Sequence, residues 1–249
     1  MRDENKTMSD AARKQVICTY CLESIAPGHE TVDHVIARSW YPPSIKNLSE
    51  WTVPACTKCN NRLSVVESKL LQRIALCVDT TDPNLDAIFE RSRRAWSVNA
   101  ARSLTDAYHR HRAKQALIRA TIPIMGTNQK GMLPSSRVNY WKGSRTRIHL
   151  AKNDLAAITT KWTRGIHRNV IGSLIPPEYE ISMHFPRSPI TEEVRDILRY
   201  TKTISQNPYV RVSMAHVKES DQFSAIYGFN IWNCFVVHTV VIPITHEKV

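Results

Sequence analysis

The chain has 249 residues, 42% hydrophobic and 22% charged, which excludes a disordered chain and suffices for one large domain or two small ones. No apolar run approaches the ~20 residues of a membrane span. The polar start MRDENKTMSDAARKQ lacks an apolar signal core, so a cytoplasmic protein with reduced thiols is expected. The net charge of +12 sits in the middle: residues 86–175 hold 17 Lys/Arg against 4 Asp/Glu, residues 1–85 hold 10 of each, and residues 176–249 hold 7 against 8. So concentrated an excess points to a polyanionic partner. Nucleic acid is favoured over a solvated helical surface, and no membrane association is expected.

In chain order, residues 1–15 read as a loose polar start, and 16–62 as loop-rich, broken by Pro27-Gly28 and Pro42-Pro43. Leu63, Glu67, Leu70, Leu71, Ile74 and Val78 recur at helical spacing, which predicts a helix from near Asn60 to about Val78. Residues 85–120 predict one or two Ala- and Arg-rich helices. Residues 121–150 predict a long basic loop with room for a short hairpin. Asn153 is a candidate N-cap for a helix whose apolar stripe is Leu155, Ile158, Trp162 and Ile166. Strands are predicted at Tyr179–Phe185, Tyr209–Val217, Phe223–Phe229 and Cys234–Ile244, interrupted by a helix at Thr191–Tyr200. The fold class is therefore α+β. Its parts are an N-terminal metal-bound module (1–84), a basic helical and loop region (85–175) and an antiparallel C-terminal β-sheet region (176–249).

Two CxxC pairs, 18-CTYC-21 and 56-CTKC-59, lie in one short segment. A two-residue spacer lets a tight knuckle aim both sulfurs at one ion, so Cys18, Cys21, Cys56 and Cys59 are expected to bind a structural Zn²⁺. A redox dithiol would open a helix in a parallel βαβ context, which is missing. Cys77 and Cys234 stand apart in apolar surroundings and read as buried small hydrophobes. A closed four-cysteine site performs no chemistry itself, so any chemistry comes from what it ties together: Asp33-His34 and Asn60. Asp33 and Asn60 offer oxygen ligands to a hard cation such as Mg²⁺ or Mn²⁺, and His34 can act as general base on a water.

The run CTYC…VDHVIARS…VPACTKCN resembles the zinc-containing HNH endonucleases, whose active site is a ββα-metal finger. The resemblance covers residues 18–64. It implies that Asp33 and Asn60 hold the catalytic cation and that His34 activates water. The middle position of the pattern, commonly Asn five residues before the third cysteine, is Trp51 here, with Asn47 or backbone groups as substitutes. A subgroup reading VPxCxxCNxxxSxDE matches again at Glu67 but has Val66 where it carries Asp; Glu67 is expected to be solvated. The resemblance also implies settings such as restriction or antiviral defence. Expected nucleic-acid contacts are Arg110, Arg112 and Lys114 in the helical part, and Arg137, Lys142, Arg145 and Arg147 in the loop. Three readings stay open: a metal-dependent endonuclease acting on DNA, a non-catalytic zinc-dependent nucleic-acid-binding module, and an RNase with the same site. The sequence leaves a controlling protein partner or homo-oligomer unspecified.

Overall fold

The structure is a computed structural model. It describes residues 15–45, 51–123, 138–141, 144–185, 199–205 and 207–244, with only the backbone path for 122–123, 138–141 and 144–147. The fold is mixed helix and sheet, with the cysteine cluster near the N-terminus and an antiparallel sheet at the C-terminal end.

Strand β1 (Glu30–His34) pairs antiparallel with β2 (Thr52–Cys56), Glu30 opposite Cys56 and His34 opposite Thr52. Helix α1 (Thr57–Ile74) follows β2 without a break and continues as a 3-10 turn, Ala75–Cys77. Its N-terminus lies three residues before the expected start because the Cys56 sulfur caps it, accepting from the Cys59 amide at 3.4 Å. Helix α2 (Pro83–Trp96) starts on Asp82, whose carboxylate accepts from the Asn84 amide at 2.8 Å, with Pro83 in the first turn. Helix α3 (Leu104–Ala120) is capped by Ser103 and buries only Leu117 and Ala120. In the expected basic loop the backbone forms β3 (Thr121–Pro123), β4 (Val138–Trp141) and β5 (Ser144–Ile148), a three-stranded sheet ordered β3-β5-β4.

Helix α4 (Lys152–Val170) begins on Ala151, which gives no side-chain cap, so Asn153 lies inside the first turn rather than capping it. Its apolar stripe is as expected: Leu155, Ile158, Trp162 and Ile166 are buried. One face of α4 packs on α1 and β2, and another on the C-terminal sheet. That sheet is ordered β6-β10-β9-β8-β7, from β6 (Tyr179–His184), β7 (Lys202–Thr203), β8 (Val210–Glu219), β9 (Gln222–Ile231) and β10 (Phe235–Pro243). The expected helix at Thr191–Tyr200 falls almost wholly outside the described residues.

Three tryptophans join the two ends of the chain. Trp40 stacks on Trp232 and meets Trp162 edge-on, both with ring centroids 5.3 Å apart, and the Trp232 indole donates to the Trp40 carbonyl at 2.8 Å. Trp232 and Asn233 form the β9–β10 turn at positive φ (53° and 54°), a conformation an unanchored Trp would avoid. The buried cluster is continuous from Cys18 to Val241 and draws on all three sequence regions.

Candidate functional site

The four cysteines converge. Cys18 and Cys21 lie in a knuckle tied down by two bonds, Leu22 N–H to the Cys18 carbonyl at 2.9 Å and Thr19 N–H to the Pro54 carbonyl at 3.0 Å. Cys56 ends β2 and Cys59 lies in the first turn of α1. All four sulfurs are within 4.8 Å of one another, and Cys21 and Cys56 are 3.9 Å apart. A tetrahedral Zn²⁺ with bonds of about 2.3 Å needs sulfurs about 3.8 Å apart, so the cluster is positioned to bind such an ion. Backbone amides add to the fit: Cys56 N–H points to the Cys18 sulfur at 3.3 Å. Burial would raise the Cys18 thiol, but the amides of Cys21, Cys56 and Tyr20 more than reverse it and hold Cys18 below the usual thiol range. Burial pushes Cys21 and Cys59 up. Such crowded thiols favour a bound cation that would take them as thiolates.

Arg164, from α4, closes the other side of the cluster. Its guanidinium donates to the Tyr20 carbonyl inside the first knuckle, and its Nε is buried with no partner among the described residues. Burial lowers its pKa, against the pull of the Cys21, Cys18 and Cys59 charges. Gly165 lets α4 come this close, since a Cβ there would fall inside the Val35 side chain.

Asn60 reaches the strand that carries Asp33. The Asn60 amide donates to Thr31 Oγ1 at 3.2 Å, and Asp33 is two residues along the same strand, on the same face. Asp33 Oδ2 accepts from Tyr20 OH at 2.5 Å and from Lys161 Nζ at 2.9 Å. The same ammonium reaches Glu67 Oε2 at 2.8 Å. Glu67 is therefore not solvated: only 4% of it is exposed, because it lies on the face of α1 that α4 covers. Burial raises its pKa to about 7, with Lys161 pulling down and Asp33 pushing up. Burial and the Asp33 charge drive the Tyr20 hydroxyl far above its usual range, so it stays a donor.

His34 follows Asp33, and strand alternation turns it to the other face, where its Nε2 accepts from Arg38 Nε at 3.2 Å. At the middle position of the sequence pattern, the Trp51 carbonyl accepts from Val35 N–H at 2.9 Å, one residue past His34, so backbone there pins the end of β1. Asn47 lies outside the described residues. Lys161, Tyr20, Arg164 and Arg38 are missed by sequence pattern. The one available signal is the charged pair inside 161-KWTRGIH-167, next to a Trp of the apolar stripe.

Of the expected nucleic-acid contacts, Arg110 pairs with Asp106 at 2.8 Å and donates to the Arg94 carbonyl. Arg112 lies over the Tyr108 ring at 5.8 Å, and Lys114 is exposed. Arg145 and Arg147 are on β5, while Arg137 and Lys142 lie outside the described residues. Among the described residues no helix is long and apolar enough to cross a membrane. The chain matches no family model, no curated protein and no solved structure.

Proposed function

We propose that the chain is an HNH-type endonuclease that hydrolyses phosphodiester bonds, with DNA favoured over RNA. The observation that supports this best is the strand-strand-helix unit closed by the cysteine cluster, with Asp33-His34 ending the first strand and Asn60 in the first turn of the helix. Among the described residues, the bonds engage Asp33 Oδ2, through Tyr20 and Lys161, and the Asn60 nitrogen, through Thr31; Asp33 Oδ1 and the Asn60 carbonyl oxygen are the atoms a hard cation would take. Asp33 and Asn60 would hold Mg²⁺ or Mn²⁺, which when bound polarises the phosphate and steadies the leaving oxygen. Cys18, Cys21, Cys56 and Cys59 would hold a structural Zn²⁺. His34 takes a proton from the attacking water as the new P–O bond forms and the bond to the leaving oxygen breaks.

One observation favours a second reading, a non-catalytic zinc-dependent nucleic-acid-binding module. The Lys161 ammonium already supplies a positive charge to Asp33. The deciding experiment incubates purified protein with plasmid DNA and with total RNA, each with Mg²⁺, with Mn²⁺ and without a divalent ion. Cation-dependent nicking of plasmid is expected. Binding without cleavage under every condition moves the module reading ahead, and cleavage of RNA alone makes the protein an RNase.

A further inference from the structure

A CxxC knuckle needs its two spacer residues only to turn the chain, yet in 18-CTYC-21 the second spacer, Tyr20, carries a buried phenol. Its backbone is fixed on every side. Leu22 N–H donates to the Cys18 carbonyl at 2.9 Å, the neighbouring Thr19 N–H donates to the Pro54 carbonyl at 3.0 Å, and the Arg164 guanidinium takes the Tyr20 carbonyl. The Lys161 ammonium lies over the ring, 5.8 Å from its centroid. From this base the hydroxyl crosses to β1 and donates to Asp33 Oδ2 at 2.5 Å. Lys161 Nζ reaches the same oxygen at 2.9 Å. Donors at such an oxygen lie near the plane of the carboxylate, so two of them fix that plane and with it the direction of Oδ1. The two are not equal. Lys161 stands on a flexible four-carbon stem and is shared with Glu67, whereas the phenol stands on a rigid, packed ring.

We propose that Tyr20 is a positioning residue for the catalytic cation: anchored in the cysteine knuckle, its hydroxyl holds the Asp33 carboxylate so that Oδ1 faces the cation shared with Asn60. The proposal rests on the nuclease reading of Asp33 and adds how a cysteine cluster that does no chemistry makes itself felt at that carboxylate. Order passes along one residue, from the Cys18–Cys21 turn through the Tyr20 ring to Asp33. Groups that orient a metal ligand by a hydrogen bond govern affinity, and losing one costs about 10–100-fold in metal affinity or activity. Without the hydroxyl, Asp33 keeps Lys161 but its carboxylate can turn. The loss then falls on cation binding and not on the proton transfer that His34 performs.

The test is Tyr20→Phe, which keeps the buried ring and removes one oxygen, in the full-length zinc-loaded protein without nucleic acid. Mn²⁺ binding is followed by electron paramagnetic resonance of the free ion, and Asp33→Ala defines which binding belongs to this site. Wild type should bind Mn²⁺ in an Asp33-dependent way, and Tyr20→Phe should need about 10–100-fold more Mn²⁺ for half occupancy at equal zinc content. In cleavage assays excess Mn²⁺ should bring the kcat of Tyr20→Phe back toward wild type, which a general loss of folded protein would not allow. Equal Mn²⁺ affinity in wild type and Tyr20→Phe overturns the proposal, as does a cleavage defect that saturating Mn²⁺ leaves in place. A readout on wild type alone covers a variant that fails to fold: Mg²⁺ should shift the ¹³Cζ resonance of Tyr20, and a resonance that does not respond overturns the proposal. The two readings fail separately. Asp33-dependent Mn²⁺ binding weakened by Tyr20→Phe in a protein that cuts nothing supports the positioning role and refutes the nuclease, whereas His34-dependent cleavage with unchanged Mn²⁺ affinity in Tyr20→Phe does the reverse.

Discussion

A lysine with 1% of its side chain exposed keeps its charge only if it is paired, and Lys161 is paired twice, with Asp33 at 2.9 Å and with Glu67 at 2.8 Å. Removing it leaves two carboxylates together in a dry place. Lys161→Met should therefore destabilise the protein by about 3–5 kcal/mol in urea unfolding, and adding Glu67→Gln should recover part of the loss. An unchanged midpoint in Lys161→Met would show that the network is not coupled to folding. The pH dependence has a definite sign. Glu67 titrates at about 7 in the fold, against 4.5 for an ordinary glutamate, so the folded state holds its proton more tightly. Its contribution is then largest below the ordinary value and is lost as pH rises to about 7. Wild-type stability should fall from pH 5 to pH 8 by more than that of Glu67→Gln, the difference being on the order of 3 kcal/mol at most. Equal pH slopes in the two proteins would contradict this. None of it is legible locally: Lys161 sits beside Trp162 in a helix, 94 residues from Glu67, and only packing brings them together.

At the scale of elements, the hairpin, α1 and α4 hold the site as a unit. The cysteine cluster was readable because ligand spacing is a local property of the chain. The helical stripe of α4 was readable because periodicity is also local. Boundaries were not, since the start of α1 depends on a cap from Cys56, and α4 starts on Ala151 with no side-chain cap although Asn153 stood nearby. Burial of Glu67 was missed because it depends on α4, an element distant in the sequence. The close approach of α4 makes its own prediction. Gly165→Ala should be destabilising by about 1–3 kcal/mol, although alanine is the better helix former by about 1 kcal/mol, because the new Cβ meets a fully buried Val35. A stabilised Gly165→Ala protein in thermal unfolding would mean that this contact yields easily.

Across the whole molecule, the positive excess of residues 86–175 includes an exposed helix. Only two side chains of α3 are buried, and Leu104 and Tyr108 are 91% and 57% exposed. If this face holds the phosphate backbone, replacing Arg110, Arg112 and Lys114 with Ala should weaken binding to all sequences alike and flatten its salt dependence. Each lost phosphate contact should reduce the log–log slope by about one unit. Because Arg110 is already paired with Asp106, its share should be the smallest of the three. Wild-type affinity and slope in the triple variant would move the footprint elsewhere. Whether His34 is the general base is decided by cleavage of plasmid DNA by wild type and His34→Ala at matched zinc content, with Mg²⁺ or Mn²⁺ present. A loss of about 10²–10⁴ in rate is expected for His34→Ala, with zinc and DNA binding nearly intact and no rescue by excess cation. Wild-type cleavage by His34→Ala would contradict it.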